Sequence, residues 1–560
     1  MKDSLTISRR KFMGNFVLAA GAAGLGLSGF SCSVDKRFSG SETNKRPNIL
    51  LVMSDDMGCS DIGCYGGEIN TPNINRLAEE GVRFKKFYNT GRCCPSRASL
   101  LTGQYSHRVG MGWMTGADLG TESYAGQLNK KGITIAEGLK LNNYETYMCG
   151  KWHLSLDKNI SPDGDKSSWP CQRGFDHYYG HLGGGYGYYT RDDLLRDNKF
   201  VPTGDDFYLT NNVTAEAVNY LESHLAEKTG KPFFMYLAYY APHRPLHVPA
   251  QYSEKYEGKY LKGWDRIRQE RIKRQKEMGL IDDDVKLSER GPVDSDEMIP
   301  AWESVPQEQR KLWDKRMATY AGQIECMDEG LGKVIDTLRD AGELDNTLVI
   351  FVSDNGACAE IRGDGNIDTI GGPETVESYR PNWANVSNTP YRLYKHYVHE
   401  GGVMTPLIVR WPSVVKGQGG FCEQIGHFID ILPTCLDAAG VEYPESFDGN
   451  KINMPNGVSL LPALQGRKLP QRNLYWEHEA NRGIRSGDWK LVSVSVRQEP
   501  YLRPWELYNL KDDPTEMNDL AAVLPEKKKK LEAMWEKWAI ENEVYPLDGS
   551  GWSERMAKGK

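Results

Sequence analysis

Short apolar runs alternate with amphipathic segments along most of the chain. Strands that are buried on both faces have no polar side, so they appear as continuous apolar runs. Five runs predict buried strands, which we expect to be parallel: Asn48–Met53, Tyr144–Cys149, Phe233–Tyr240, Thr347–Val352 and Pro406–Val409. Helical spacing is present between them over Ile74–Glu80, Ile133–Leu141, Asn212–Glu227 and Arg316–Leu338. This alternation predicts an α/β fold with a large, mixed but mostly parallel sheet that is flanked by helices.

The C-terminal part has a different pattern. Short strands are predicted over Asn473–Glu477, Gly483–Ile484, Trp489–Val494 and Glu506–Tyr508, followed by a Lys- and Glu-rich helix over Pro525–Ala539. They predict a small antiparallel sheet with one packed helix, an α+β subdomain over residues 471–560 after a main domain over residues 46–470. Residues 254–316 of the main domain form an insertion dense in charge. We interpret this insertion as a solvated helical excursion and not as a polyanion site.

The N-terminus resembles an export signal. Arg9 and Arg10 precede an apolar run, Phe16–Phe30, that is too short and too rich in glycine to span a bilayer. The paired arginines resemble a twin-arginine signal, with an ordinary signal as the alternative, and Cys32 resembles a lipoprotein attachment site. We therefore expect residues 1–31 to direct export to the periplasm or cell surface. We expect membrane contact only through a lipid on Cys32.

Composition and charge exclude several classes of protein. Apolar residues make up 39% of the 560 positions, enough for a large core, which excludes a disordered chain. Lys and Arg number 69 against 76 Asp and Glu, a net charge of −7 that argues against nucleic-acid binding through net charge. The 11 cysteines are too sparse for a disulfide scaffold and contain no pair of CxxC elements, which argues against structural zinc.

Polar residues follow four of the predicted strands at the point where each strand ends. They are Asp55 and Asp56, then Lys151 and His153, then His243, then Asp354 and Asn355. Turn formation explains each one alone, but ligands of open α/β sheets bind beyond these carboxyl ends. Carboxylate and amide oxygens suit a hard cation, and Ca²⁺ tolerates irregular geometry better than Mg²⁺. We therefore expect one Ca²⁺, with the lysines and histidines serving an anionic substrate.

A candidate nucleophile lies at the start of another predicted helix. Pro95 is placed as a first-turn residue, so Cys93 falls at the helix N-terminus, where the helix dipole favours an anion. An activated thiolate here is consistent with a cysteine hydrolase. The simpler alternative is that Cys93 and Cys94 are two buried structural thiols.

These residues also resemble a known family. Cys93-Cys94-Pro95-Ser96-Arg97, followed by Ala98-x-Leu100-Leu101-Thr102-Gly103, is similar to the signature of formylglycine-dependent type I sulfatases of the alkaline-phosphatase-like superfamily. The other matching elements follow in the family order: Ser54–Gly58, Gly150–Leu154, Ala241–His243, Ser353–Gly356 and Lys395-x4-Glu400-Gly401-Gly402. The motifs cover residues 46–415. Arg92 and Asn143 depart from the family pattern, which bears on substrate fit more than on activity.

The resemblance implies a sulfuric ester hydrolase. Because bacterial sulfatases of this kind act on sulfated glycans, the resemblance also favours sulfated carbohydrates as substrates. A maturation enzyme would convert Cys93 to formylglycine (3-oxoalanine), whose hydrate attacks sulfur. Asp55, Asp56, Asp354, Asn355 and the residue-93 hydrate would bind the metal, with Asp354 accepting the proton of the attacking hydroxyl. Lys151 and Lys395 would hold the sulfate, Arg97 would steady the hydrate, His243 would act as general acid, and His153 would help to expel sulfate.

Four further residues are candidates for substrate contact. His177 and His181, near Gly183–Gly185, are expected to lie in a loop that faces the substrate, with ordinary loop packing as the alternative, and His478 and Arg482 are expected to reach the site from the C-terminal subdomain. Two other functions remain open from the sequence. One is a phosphomonoester or phosphonate hydrolase of the same superfamily, since lysine and Ca²⁺ bind tetrahedral anions alike. The other is a glycan-binding lipoprotein without activity, which the complete set of candidate catalytic residues disfavours.

Overall fold

The structure, a computed structural model, describes residues 46–185, 187–294, 297–496 and 502–559. Its strands, in chain order, are β1 (Asn48–Ser54), β2 (Val82–Tyr88), β3 (Glu145–Lys151), β4 (His177–His181), β5 (Leu194–Arg196), β6 (Lys199–Phe200), β7 (Phe233–Ala238), β8 (Pro292–Asp294), β9 (Glu297–Met298), β10 (Thr347–Ser353), β11 (Leu407–Arg410), β12 (Phe421–His427), β13 (Ser446–Phe447), β14 (Asn450–Lys451), β15 (Asn473–His478), β16 (Asn481–Ser486), β17 (Trp489–Ser493) and β18 (Glu506–Asn509).

The α-helices, in the same order, are α1 (Pro72–Glu80), α2 (Cys93–Thr102), α3 (Ile135–Lys140), α4 (Leu209–Glu227), α5 (Ala250–Ser253), α6 (Trp264–Glu277), α7 (Gln307–Asp340), α8 (Arg380–Ser387), α9 (Glu400–Val403), α10 (Ile431–Ala438), α11 (Leu461–Leu464), α12 (Pro525–Glu541) and α13 (Trp552–Lys558). The predicted export signal and Cys32 lie outside the described residues. Within the described ranges, no helix combines the length and the apolar character needed to cross a bilayer.

A ten-stranded sheet in the order β12-β2-β11-β10-β1-β7-β3-β4-β5-β6 forms the centre of the fold. Its inner strands β10, β1, β7, β3 and β4 are parallel, which confirms the predicted mixed, mostly parallel sheet. The prediction of a parallel strand over Pro406–Val409 is wrong in direction, because β11 pairs antiparallel with β10 and with β2. An apolar run reports burial on both faces and carries no information on strand direction.

The apolar residues of β1 alternate between two cores. Leu50 and Val52 pack on the side of α4 and α7, and Ile49, Leu51 and Met53 pack on the side of α2 and α10. Helix α7 is longer than the predicted Arg316–Leu338, because it begins at Gln307 and ends at Asp340. These two layers hold β1 and its neighbours rigidly, and so fix the positions of the residues that follow each strand.

The charged insertion is not a solvated helix on all sides. Its helix α6 exposes lysines and glutamates, but Ile267, Arg268 and Arg271 are buried. The Arg271 guanidinium lies 2.7 Å from an oxygen of Asp61 and 2.7 Å from one of Glu68. Because Asp61 also accepts a hydrogen bond from the Gly58 N–H, at 2.9 Å, the insertion supports the loop that follows β1.

The C-terminal strands β15, β16, β17 and β18 form an antiparallel sheet in sequential order, as predicted. Helix α12 packs on this sheet through Leu531 and Trp535, which contact the cluster that contains Ile484 and Leu491. On β15, the Trp476 indole donates a hydrogen bond to the Asn89 carbonyl, at 2.8 Å. This contact ties the small sheet to the segment that leads into α2.

Candidate active site

The parallel strands place the predicted polar residues side by side. Because Ser54 of β1 pairs with Ser353 of β10, Asp55 and Asp56 emerge next to Asp354 and Asn355. Asp56 has a φ of 66°, in the left-handed region, and its N–H donates to Oδ1 of Asp354 at 3.2 Å. The Asn355 amide donates to Oδ1 of Asp56 at 2.7 Å. All four residues are buried.

Three oxygens of this group have no hydrogen-bond partner among the described residues: Asp55 Oδ1, Asp56 Oδ2 and Asn355 Oδ1. A buried polar atom without a partner is costly, so such oxygens normally face an ion or water. Burial and the neighbouring Asp354 carboxylate raise the pKa of Asp55 to about 8. A hard divalent cation would satisfy the oxygens and favour the ionised carboxylates, so this donor set fits Ca²⁺ or Mg²⁺.

Three buried cationic side chains form ion pairs with these carboxylates. The Lys151 Nζ is 2.5 Å from Oδ2 of Asp55, and the Lys395 Nζ is 2.6 Å from Oδ1 of Asp56. The Arg97 guanidinium is 2.8 Å from Oδ2 of Asp354 and 3.3 Å from Asp55. Three cations and three carboxylates cancel, so a bound dication would leave the pocket with two net positive charges. Such a pocket is suited to an anionic substrate.

Cys93 is the first residue of α2 and is 2% exposed. A hydrogen bond from Cys94, with the charges of His153 and Lys151, holds the pKa of the Cys93 thiol well below its usual range, whereas burial raises that of Cys94. Arg97 follows one helical turn after Cys93 and reaches the Lys151 carbonyl at 2.9 Å. The two adjacent cysteines therefore differ chemically, and Cys93 is the one that faces the charged group.

His153 borders this group next to the two cysteines. The ligand atoms of His153, Cys93 and Cys94 all lie within 4.8 Å of one another, and burial lowers the pKa of His153 to about 4. A Cβ added at Gly184 would overlap the His153 ring, so the predicted loop after β4 approaches this histidine closely and requires glycine.

His243 follows β7 and has a defined orientation. Its Nδ1 lies 2.6 Å from the Arg244 carbonyl, so that nitrogen carries the proton in the neutral ring. Its Nε2 lies 3.4 Å from Oδ2 of Asp56. Burial, then Lys151 and Lys395, lower the pKa of His243 well below its usual range. An anionic substrate would oppose the effect of the two lysines.

Two of the four predicted substrate contacts are buried histidines. The His181 ring lies edge-on to Tyr240, and the His478 ring lies beside that of His396, at 5.7 Å between ring centroids. The expectation that His177 and His181 lie in a substrate-facing loop is wrong, because they are the first and last residues of β4.

Two of the four lie away from the charged group. The His177 ring stacks on Tyr147 and Tyr220. The Arg482 guanidinium packs over Trp505 at 4.1 Å, beneath α12, and does not join the group. Strand residues alternate between faces, and Arg482 points to the helix-covered face of the small sheet.

Glu360 and Arg244 also lie beside this group, and neither was predicted from the sequence. The Glu360 carboxylate accepts hydrogen bonds from Arg92 and from Arg244. Arg92 directly precedes Cys93, and Arg244 directly follows His243. The departure at Arg92 was a signal for this arrangement, whereas nothing in the sequence around Glu360 marks it.

Known proteins of one family match most of the chain. A family model described as Sulfatase matches residues 47–441, and one described as N-sulphoglucosamine sulphohydrolase, C-terminal, matches residues 391–540. An uncharacterised sulfatase of Schizosaccharomyces pombe is 33% identical over 90% of this chain and 96% of its own length. An N-acetylglucosamine-6-O-sulfatase of Bacteroides thetaiotaomicron is 28% identical over 88% and 86%. A solved complex with the substrate D-glucosamine-2-N,6-O-disulfate has a TM-score of 0.58 at 27% identity, covering 90% of this chain and 100% of that one.

Proposed function

The chain belongs to the sulfatase family and is a sulfuric ester hydrolase, and we propose that it removes O-sulfate groups from carbohydrates. The observation that carries this proposal is the buried convergence of Cys93 with Lys151, His153 and the oxygens after β1 and β10 that have no hydrogen-bond partner in the described part of the chain. A relative that is named for a sulfated amino sugar and a solved structure that contains such a sugar support carbohydrate as the substrate class.

Two groups complete the site. Sulfatases generally use Ca²⁺ and formylglycine, and we propose both here. Asp55, Asp56, Asp354 and Asn355 would hold Ca²⁺, which would supply positive charge near the sulfate oxygens. Formylglycine at position 93, once hydrated, would supply a hydroxyl as the nucleophile toward sulfur.

The side chains around these groups have separate tasks. Lys151 and Lys395, which pair with Asp55 and Asp56, are placed to bind the sulfate oxygens as point charges. His243 accepts a proton at Nε2 and delivers it to the leaving sugar oxygen, while its Nδ1 stays bound to the Arg244 carbonyl. His153, in contact with Cys93, is placed to accept a proton on that side of the pocket.

We propose further that the protein acts outside the cytoplasm. The basic and apolar N-terminal segment and Cys32 support export and a lipid anchor, in the periplasm or at the cell surface. A formylglycine-generating enzyme is the partner that conversion of Cys93 requires.

A substrate panel tests the function. Purified enzyme with measured formylglycine and Ca²⁺ content is assayed for sulfate release from sulfated mono- and disaccharides, with phosphomonoesters and a phosphonate ester of the same alcohols as competing candidates. We expect turnover of at least one saccharide sulfate, faster than of any phosphorus ester, and no turnover with Cys93→Ala. Faster cleavage of the phosphorus esters would contradict the proposal.

A further inference from the structure

Two arginines next to the reacting groups share one carboxylate. The Arg92 Nη2 lies 3.2 Å from one oxygen of Glu360, and the Arg244 Nε lies 2.7 Å from the other. Arg92 adjoins Cys93 in the chain, and Arg244 adjoins His243. The Arg92–Glu360–Arg244 bridge therefore connects the segment that carries the nucleophile to the segment that carries the proposed acid.

Both guanidinium groups keep unused hydrogen-bond donors. Among the described residues, Glu360 is the only hydrogen-bond acceptor for either side chain, although each guanidinium carries five N–H groups. The Nε of Arg92 is buried and has no hydrogen-bond partner in the described ranges. The side chain of Arg244 is 30% exposed, so its terminal nitrogens are accessible from solvent.

The bridge is close to the groups that bind the sulfate. Burial disfavours the ionised form of Glu360, but Arg92, Lys395, Arg244 and His243 together hold its pKa well below the usual range. The geometry agrees, because His243, the neighbour of Arg244 in the chain, has its Nε2 3.4 Å from Oδ2 of Asp56, and the Lys395 Nζ lies 2.6 Å from Oδ1 of the same carboxylate. The bridge thus borders the space that the leaving sugar must occupy when its sulfate lies on Lys151 and Lys395.

Arg244 has fewer carboxylate neighbours than Arg92 and is therefore less neutralised. Glu479 also attracts Arg92, but its oxygens accept hydrogen bonds from the Trp113 indole, at 2.7 Å, and from His396, at 3.0 Å. Within the described part of the chain, Arg244 forms an ion pair only with Glu360, which it shares with Arg92. One carboxylate cannot neutralise two guanidinium groups, and a guanidinium fork matches the planar pair of oxygens of a carboxylate or sulfate.

We propose that Arg244, assisted by Arg92, binds a second anionic substituent on the leaving sugar, either another sulfate or a uronic carboxylate. The substrate is then a multiply charged glycan and not a saccharide with a single sulfate. This inference rests on the proposed function. Glu360 competes with the substituent and so sets the strength of the preference.

The test is a ratio of two kcat/KM values. The best singly sulfated substrate of the panel is compared with the same saccharide carrying a second sulfate and, in a separate arm, with one carrying a neighbouring uronate. We expect wild type to favour at least one doubly charged substrate. Arg244→Gln should lower that preference by about tenfold or more, because charge-assisted bidentate bonds are lost. Glu360→Gln should raise the preference, since it frees both guanidinium groups.

Controls separate this result from loss of fold or of function. Arg266→Gln removes the same charge from an exposed position on α6 and should leave the ratio unchanged. Arg244→Lys keeps the charge without the fork and should give an intermediate ratio, and high salt should reduce the wild-type preference. Equal losses on both substrates in Arg244→Gln, or a lower preference in Glu360→Gln, would overturn the inference. Absence of sulfate release from every substrate by formylglycine-containing enzyme would instead overturn the proposed function.

Discussion

The Arg97 guanidinium lies 2.8 Å from Oδ2 of Asp354, and this contact joins the helix that begins at Cys93 to the end of β10. The same group donates to the Lys151 carbonyl at the end of β3. All of these atoms are buried, so one side chain fixes the position of the nucleophile relative to the oxygen cluster and to the sulfate-binding lysine.

Arg97→Lys should lower kcat/KM by about tenfold or more, because lysine keeps the charge but cannot reach two acceptors with a planar fork. Steady-state kinetics at matched Ca²⁺ and formylglycine content measure the effect. Arg108→Lys, at a partly exposed position near the same helix, is the control and should be neutral. Near wild-type activity of Arg97→Lys would show that charge alone suffices.

Removal of divalent metal should abolish most activity, and Ca²⁺ should restore it better than Zn²⁺ or Mg²⁺. The donor set consists of carboxylate and amide oxygens, three of them without a partner among the described residues, and these ligands favour a hard cation with flexible coordination. Activity is measured after chelation and titration with each metal, with metal content determined in parallel. Full activity of a metal-free preparation would refute the site.

His243→Ala should impair hydrolysis of a saccharide sulfate far more than that of an activated aryl sulfate. A sugar alkoxide leaves poorly without a proton, whereas a phenolate is stable, and general acid catalysis contributes about 10²–10⁴-fold. The two losses in kcat/KM should differ by at least about tenfold. His177→Ala, at the distant end of β4, is the matched control and should affect neither substrate. Equal losses would mean that His243 binds sulfate or shapes the loop.

Acidification should destabilise the fold partly through His427. Burial lowers the pKa of this histidine to about 3, so the folded state holds it neutral while the unfolded chain protonates near its ordinary pKa of about 6.5. Its contribution to stability is therefore complete above about pH 6.5 and is lost as the pH falls toward 3, by up to about 1.4 kcal/mol per pH unit.

Urea unfolding at about pH 7.5 and about pH 5.5 tests this effect. His427→Gln should lose less stability on acidification than wild type, whatever its stability at the higher pH. An identical loss in the two proteins would show that other groups account for the acid sensitivity.

Sequence patterns predicted the strands and helices whose apolar residues are buried. The inner strands are apolar because both faces are covered, and α2 begins where Pro95 favours a first turn. Strand β2 was not predicted, because Arg83, Lys85 and Lys86 break its apolar pattern near the sheet edge. The charged insertion was misjudged because a buried, paired Arg271 cannot be told from an exposed one by composition.

Residues of the candidate site could be predicted from the sequence only where a strand positions them. Residues that directly follow strands, such as Asp55 and Lys151, could be placed together from the parallel arrangement alone. Glu360 and Glu479 lie in irregular segments far along the chain from their partners Arg92 and His396. Their contacts depend on the paths of long loops, and no local pattern reports these.

Mass spectrometry of the peptide that spans residues 93 and 94, together with sulfate release by the same preparation, tests whether residue 93 supplies the nucleophile as formylglycine. The enzyme should be produced with a formylglycine-generating partner, in wild-type, Cys93→Ala and Cys94→Ala forms. We predict the aldehyde at position 93 and an intact thiol at position 94 in wild type. Activity should be proportional to the converted fraction, absent in Cys93→Ala and substantial in Cys94→Ala. Full activity with an unmodified Cys93, or an active Cys93→Ala enzyme, would show that formylglycine at position 93 is not the nucleophile.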